Sequence, residues 1–470
     1  MEIPHRQHFL LVAYPIQSHM NPTRNLAGRL TSVTGVGVTI STAVSGHRIM
    51  FPSAVPPDME VSAGSVSYIP FSDGYDDDFK FKIVGDDDSG SYKSQVRVNG
   101  SRTLSAILDR LAARGRPVTC VVCTLVIPWA AGVARRHGIP SAVYWIQPAT
   151  SFACYYHYFH GYDQLIASHS EDPMFPVSLP GLPPLRIREL PSFLTITSKD
   201  DQFSSLVLDG LREGFYELDQ EAKPRILFNT FDSLEGDALR VIKTKMEVYA
   251  IGPVMSLEIQ TGADLFKQDE KDYMEWLDTK PASSVVYVSF GSLSSLKRRQ
   301  MEELVLGLRE SGRPYLWVLR KDNREEGVEL EGGDDCMVVA WCNQVQVLSH
   351  RSIGCFVTHC GWNSTLESLA CGVPTVDVPQ WAEQGLNARL MEEEGWGIGM
   401  RGVVDEEGVL PAAELRRCLE VVMGGGERGE EIRKKAEMWK ERAREAVQDG
   451  GSSERNLEAF VKEIIRSTKA

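Results

Sequence analysis

Residues 341–384 read WCNQVQVLSHRSIGCFVTHCGWNSTLESLACGVPTVDVPQWAEQ, and this stretch decides the fold. Its apolar run Ile353 to Val357 predicts a buried strand. His359 follows, and then a Gly-started segment carrying Asn363, Ser364 and Glu367 predicts a helix. A second apolar run, Thr375 to Val378, predicts the next strand. Strand, tight turn and helix N-terminus together make a diphosphate seat in an α/β protein, because free N–H groups and the helix dipole face the anion. Asn363 and Glu367 are four apart and share one helical face, so the polar groups converge on one side of the turn.

Outward from this stretch the same alternation recurs. His8 to Tyr14 is near-continuously apolar, the pattern of a parallel strand covered on both faces. Pro22 to Leu30 has helical spacing, and Gly35 to Ile40 reads as the next strand. Pro117 to Val126 and Ser141 to Ile146 predict further buried strands around a helical Trp129 to Arg136. Gly252-Pro253 and the polar stretch Ser256 to Glu270 interrupt the pattern. It restarts with VVYVSF after Ser284, helix Arg298 to Glu310 and strand Pro314 to Leu319. Two doubly wound α/β halves are therefore expected, with ligands in a cleft at the carboxyl ends of the strands. Glu430 to Ile465 predicts helix broken at Gly450-Gly451, with Ser452-Ser453 as N-cap and a frayed tail to Ala470.

Composition bounds the function. The chain has 470 residues, 43% hydrophobic and 24% charged, which is a soluble globular composition of two or three domains. A net charge of −14 argues against nucleic acid or an anionic membrane surface as partner. No segment reaches the roughly 20 apolar residues of a membrane helix. The first apolar run closes at Pro15 and reads as a strand, not a secretory signal. Nine scattered cysteines fit free thiols in a reducing compartment, so the expected location is the cytoplasm. Cys120 and Cys123 form a C-x-x-C, but on a strand they point to opposite faces and read as packed thiols. No G-x-G-x-x-G follows the first strand, where PIQSH stands, so a dinucleotide oxidoreductase is a weak reading.

Over its whole length the 341–384 stretch resembles the signature box of plant family 1 UDP-dependent glycosyltransferases. The resemblance implies a GT-B fold of two Rossmann-like domains: an acceptor domain over 1–250, a UDP-sugar domain over 251–450, and a closing helix, 451–470, packed back on the first. GGSSERNLEAFV resembles that closing helix. It also implies metal-free inverting chemistry without a cofactor, a UDP-sugar co-substrate and a small lipophilic acceptor. A monomer is expected. Another class of glycosyltransferase uses an Asp-x-Asp metal clamp; the runs Asp76 to Asp78 and Asp86 to Asp88 read instead as a solvated loop.

By the same resemblance Trp341 stacks on uracil, as an indole face suits a planar base. The Cys342 backbone and Gln344 contact the uridine, and Glu367 takes the ribose hydroxyls, since a carboxylate accepts two bonds at once. His359, Asn363 and Ser364 hold the diphosphate, with Trp362 beside the sugar. Ser292, in VSFGS, matches a further phosphate contact or forms an ordinary hydroxyl turn. The box ends in Glu383-Gln384. Relatives that use UDP-glucose mostly end in Asp-Gln, and a terminal His goes with galactose, so Gln384 favours glucose. Asp377 is a charge inside an apolar strand, for which the sequence offers no account.

His19 stands in YPIQSHMNP after the first strand. On the residues alone it either caps the next helix or works at the ligand-binding edge of the sheet. The resemblance implies the latter: a neutral imidazole that takes the proton of an attacking acceptor oxygen. In many relatives an Asp five residues before the Trp of a Pro-Trp pair supports this His. Here Trp129 makes that position Thr124. A Thr orients the ring but carries no charge to offset an imidazolium. Either another carboxylate serves, or the acceptor is acidic enough to need little help.

The aromatic stretch Pro148 to Tyr162 matches the region that lines the acceptor cleft, which nominates Phe152, Tyr155, Tyr156 and Tyr158. His157 and His160 read as surface or packing residues, and Leu179 to Leu194 as a proline-stiffened loop near the cleft mouth. TLVIPWAAGVA and YWIQPAT resemble the branch of anthocyanin 5-O-glucosyltransferases and indole-3-acetate glucosyltransferases. A flavonoid hydroxyl and a carboxylic acid are both open as acceptor groups, and the absent Asp tilts the choice toward including acids. The alternative is a catalytically silent UDP-sugar-binding sensor or scaffold.

Overall fold

A computed structural model describes residues 7–54, 59–77, 89–196, 201–255, 265–266, 269, 271–323 and 333–468. The acidic run Asp86 to Asp88, Asp78, most of the polar stretch Ser256 to Glu270 and the last two residues lie outside these. The chain divides into two compact units. One runs through Met255 and regains the chain from Ala446; the other holds Phe266–Glu445.

The first unit is built on strands β1 (His8–Val12), β2 (Gly37–Ser41), β3 (Val61–Ala63), β4 (Val66–Tyr68), β5 (Cys120–Thr124) and β6 (Ser141–Trp145). A separate two-residue pair follows, β7 (Pro176–Val177) with β8 (Leu185–Arg186). Then β9 (Arg225–Phe228) and β10 (Glu247–Ala250) rejoin the large sheet. Its order is β10-β9-β6-β5-β1-β2-β4-β3, parallel except for β3 against β4. All five residues of β1 are buried, because helices cover both faces of a parallel sheet. On one face Leu10 and Val12 pack with Leu104, Leu108, Leu111 and Trp129. Each fully buried aliphatic side chain contributes about 1.5–3 kcal/mol.

The closing helix, Ser452–Ser467, belongs to this unit and packs on β10. Fully buried Phe460 meets Phe9 and Tyr249 edge-on, with ring centroids 5.9 and 5.3 Å away. Arg225 on β9 makes a two-pronged bond to Glu463, Nε to Oε2 at 2.7 Å and Nη2 to Oε1 at 2.9 Å. The expected serine cap is corrected: Gly451 precedes the first turn, and buried Ser453 donates instead to the Gly252 carbonyl.

The second unit has β11 (Val285–Ser289), β12 (Tyr315–Val318), β13 (Cys336–Val339), β14 (Ile353–Thr358), β15 (Thr375–Asp377) and β16 (Gly399–Arg401). The order is β13-β12-β11-β14-β15-β16, parallel throughout. The expected helices Trp129–Arg136 and Arg298–Glu310 form as read, and the one expected at Pro22 to Leu30 extends over Gln17–Thr34. In each unit the chain winds outward on one side of its first strand and then returns to the other side. This puts topological switch points between β1 and β5, and between β11 and β14. Parallel α/β sheets hold their ligands at the carboxyl end of such points.

Asp377 ends β15 and is fully buried. Neither carboxylate oxygen has a hydrogen-bond partner among the described residues. One oxygen occupies the space where Gly399 lacks a side chain: a Cβ there would stand 2.3 Å from it. Thr375, Cys360, Glu392 and Arg401 surround the group, with Cys355 and Cys418 nearby. Burial pushes its pKa up to about 7. A carboxyl raised on folding stabilises the fold below its unfolded pKa, and that contribution is lost as pH rises through the folded value. Stability referable to Asp377 therefore declines between about pH 4 and pH 7, by on the order of 4 kcal/mol. Asp377→Asn should leave stability at pH 4 near that of the parent and raise it at pH 8, read by urea unfolding at both pH values.

Candidate active site

At the first switch point, β1 ends at Val12 and the chain turns through Tyr14 to Ile16 into the helix Gln17–Thr34. Ile16 is the residue before that helix, and no side chain caps it. His19 lies in the first turn and its ring points elsewhere, so the helix-cap reading fails. Nδ1 stands 3.1 Å from Thr124 Oγ1, at the end of β5. The Tyr14 N–H also donates to that oxygen, at 3.4 Å. The direction of the Nδ1–Oγ1 bond follows the tautomer, and with the proton on Nδ1 the Nε2 lone pair is the acceptor. His19 and Thr124 are both buried, and burial alone pushes the His19 pKa down to about 3. The ring is neutral at physiological pH, and no carboxylate among the described residues acts on it.

At the second switch point, β14 ends at Thr358, and His359, Cys360 and Gly361 turn the chain into the helix Trp362–Cys371. Cys360 has φ 64°, an uncommon left-handed conformation for a residue with a side chain. Its N–H donates to Thr358 Oγ1 and its carbonyl accepts from Asn387 Nδ2 at 2.7 Å, which hold it there. The His359 ring is wedged between Gly291 and Gly361: a Cβ on either would lie 2.6 or 2.5 Å from Nε2. Burial pushes the His359 pKa down to about 4. Buried Arg320 donates to the Gly291 carbonyl at 2.8 Å, bringing a positive charge to this turn. Ser292 sits half-exposed on the turn after β11. The helix Trp362–Cys371 has Gly361 before it and no side-chain cap there, and it presents the positive end of its dipole at this turn.

Gln344 links the polar groups of the first helical turns. Its Nε2 donates to Ser364 Oγ at 2.9 Å and Glu367 Oε2 at 2.6 Å, and its Oε1 accepts from Tyr287 at 3.1 Å. Glu367 is pushed up to about 7 by burial, against the pull of Gln344. Cys342 turns its thiol into the core toward Tyr287, which leaves its backbone for contact. Trp341 stacks on Phe266 with ring centroids 4.4 Å apart, so one indole face is taken. Asn363 is half-exposed on the same helix. Buried Glu383 is pushed up to about 7 by desolvation, countered by N–H donors of its own residue and Trp362. Gln384 Oε1 accepts from the Gln380 and Trp381 N–H groups at 2.8 and 3.1 Å, and Nε2 is the end it has to offer.

Three expected roles are corrected. Phe152 and Tyr155 are fully buried and cannot line an acceptor site. Phe152 packs against Trp145, Phe215 and Phe228 in the core, and Tyr155 meets Trp145. The Trp362 indole is buried against Trp396, which leaves its backbone as the part near the turn. Tyr156 and Tyr158 stay half-exposed, at a helix end where a π-helical turn and Gly161 at φ 107° bend the chain. His160 stacks on Tyr156, and His157 meets the Pro180 carbonyl. Sequence reasoning missed Tyr14, Tyr287, Arg320 and Glu235. The Tyr287 signal was available: a hydroxyl in a buried strand needs a partner. Glu235 lies far along the chain and accepts the Ala149 and Thr150 N–H groups, both at 2.9 Å, capping the helix that Pro148 cannot.

The model of a family described as "UDP-glucoronosyl and UDP-glucosyl transferase" matches residues 239–447. UDP-glycosyltransferase 75C1 of Solanum lycopersicum is 47% identical over 98% of this chain and 99% of its own. Crocetin glucosyltransferase, chloroplastic, of Gardenia jasminoides is 45% identical over 99% of both. Anthocyanidin 3-O-glucoside 5-O-glucosyltransferase 1 of Perilla frutescens is 41% identical over 98% of this chain and all of its own. Among solved structures, Os79 from O. sativa in complex with UDP superposes with a TM-score of 0.82 at 30% identity, over 97% of this chain and 100% of that one. Relatives named as transferases across their full length remove the silent-sensor alternative. With a GT-B pair of Rossmann-like units and a signature turn shaped for a diphosphate, the chain belongs to the plant family 1 UDP-dependent glycosyltransferases.

Proposed function

We propose that the protein transfers glucose from UDP-glucose to a phenolic hydroxyl of a small plant metabolite, with inversion and without a metal, as a cytoplasmic monomer. The observation that carries the reading is the His19 ring, engaged at Nδ1 by Thr124, which leaves Nε2 as the nitrogen to meet an acceptor. In the reaction the acceptor O–H gives its proton to Nε2 while its oxygen attacks the anomeric carbon. The bond from that carbon to the diphosphate breaks, and its electron pair leaves with UDP. Attack opposite the leaving group turns an α-linked donor into a β-glucoside. Growing charge on the diphosphate falls to the N–H groups before Trp362–Cys371, with Ser292, Asn363, Ser364 and His359 around them. Trp341, the Cys342 backbone and Gln344 take the uridine, Glu367 the ribose, and Glu383 with Gln384 the glucose.

A His19 pushed down to about 3 is a weak base. Phenols, far more acidic than aliphatic alcohols, need less from it. Thr124→Asp would supply the absent charge and raise the His19 pKa. It should increase kcat for an aliphatic alcohol more than for a phenol, and equal gains on both would refute the assignment. The direct test mixes the protein with UDP-glucose and a phenolic panel and follows UDP release. His19→Ala should lower the rate by roughly 100-fold or more.

A carboxyl that accepts sugar hydroxyls on both oxygens at once must be ionised, and Glu367 and Glu383 are raised to about 7 by burial. UDP-glucose binding therefore releases protons and strengthens as pH rises through 7. Its KM should increase roughly tenfold from pH 8 to pH 6 for each group that must ionise. Glu367→Gln should flatten that profile; an unchanged profile would count against Glu367 as ribose ligand.

A further inference from the structure

We propose that Asp73, Tyr92 and Tyr14 form a polar wall beside His19 that selects polyphenols, aromatic acceptors with a second hydroxyl, over carboxylic acids. The proposal deepens the glucosyltransferase reading above and rests on His19 as its base. The Tyr14 ring stands edge-on to the His19 ring, with centroids 6.2 Å apart and planes at 65°. The hydroxyls of Tyr14 and Tyr92 are hydrogen-bonded to each other, and Tyr75 tilts against Tyr92 at 4.8 Å. Tyr75, Tyr92 and Asp73 are partly exposed, and Tyr14, packed against the core on one side, is partly exposed with them.

Asp73 acts on both Tyr14 and Tyr92, and its own position is fixed. Its Oδ1 accepts the Tyr75 N–H at 2.9 Å. Next to it the Ser72 carbonyl accepts Thr103 Oγ1 at 2.7 Å, and Gly74 turns at φ 92° where a Cβ would stand 2.4 Å from Asn99. Burial raises the Asp73 pKa, and the charge next along, Asp76, has the same sign. A carboxylate here accepts a hydrogen bond from a phenolic O–H and repels a second carboxylate. The two tyrosine hydroxyls carry hydrogen bonding from the His19 side of the wall toward it. An aromatic acceptor reacting at His19 therefore meets, beyond the Tyr14 ring, groups that favour another hydroxyl. This reverses the tilt toward acids that the missing Asp at position 124 suggested.

Phloretin, 4-hydroxydihydrochalcone with its single phenol, and cinnamate separate the possibilities as acceptors with UDP-glucose. Asp73→Asn keeps an oxygen for the Tyr75 N–H, and Tyr92→Phe keeps the ring packing, so both variants should fold. The expected result for Asp73→Asn is an approximately tenfold fall in the kcat/KM ratio of phloretin to the single phenol, carried by KM, with a rise in relative cinnamate use. Tyr92→Phe should lower the phloretin ratio in the same sense. Ratios unchanged within about twofold in both variants, or cinnamate as the best parent acceptor, overturn the wall while leaving the transferase reading intact. No UDP release with any acceptor, or full activity in His19→Ala, overturns that reading and this proposal with it.

Discussion

One hydroxyl, Thr124 Oγ1, organises the first unit's chemistry. It collects the Tyr14 N–H and the His19 ring at the carboxyl ends of two adjacent parallel strands. The strands meet there because the chain winds away from β1 and returns beside it as β5. A threonine orients the ring without lending charge. The imidazole is thereby held in place and kept neutral.

The second unit solves a different electrostatic problem. Its turn gathers several carboxyls and keeps its own negative charge low. Glu367 and Glu383 are buried to the point where neither is firmly ionised near neutrality. Asp377, immediately behind the turn, is held in the same condition. Buried Arg320 and the positive end of the helix dipole supply the positive side. The turn therefore carries less negative charge than its three carboxyls would suggest.

Much of this was legible in the chain. The buried strands read correctly because parallel strands lack polar alternation, as HFLLV and VVYVS show. His19 and the polar residues of the 341–384 stretch were placed at a sheet edge and a helix start because those have local signatures. Contacts between distant parts of the chain were not legible. Glu235 caps a helix 85 residues away, and nothing beside it announces that partner. The aromatic stretch misled for a related reason: Phe152 and Tyr156 look alike in sequence, and only packing separates the core residue from the half-exposed one. Asp377 became intelligible only when the missing side chain of Gly399 showed where its carboxyl fits.

The wedging of His359 between Gly291 and Gly361 has a practical consequence for redesign. The imidazole is clamped on both sides by bare backbone, so the two glycines and the histidine behave as one rigid part contributed by two loops. Alanine, the smallest change available, already collides with the ring at either glycine. Directed libraries meant to broaden donor choice should therefore spare this trio and draw their diversity from neighbouring positions that have room, such as the exposed Leu293.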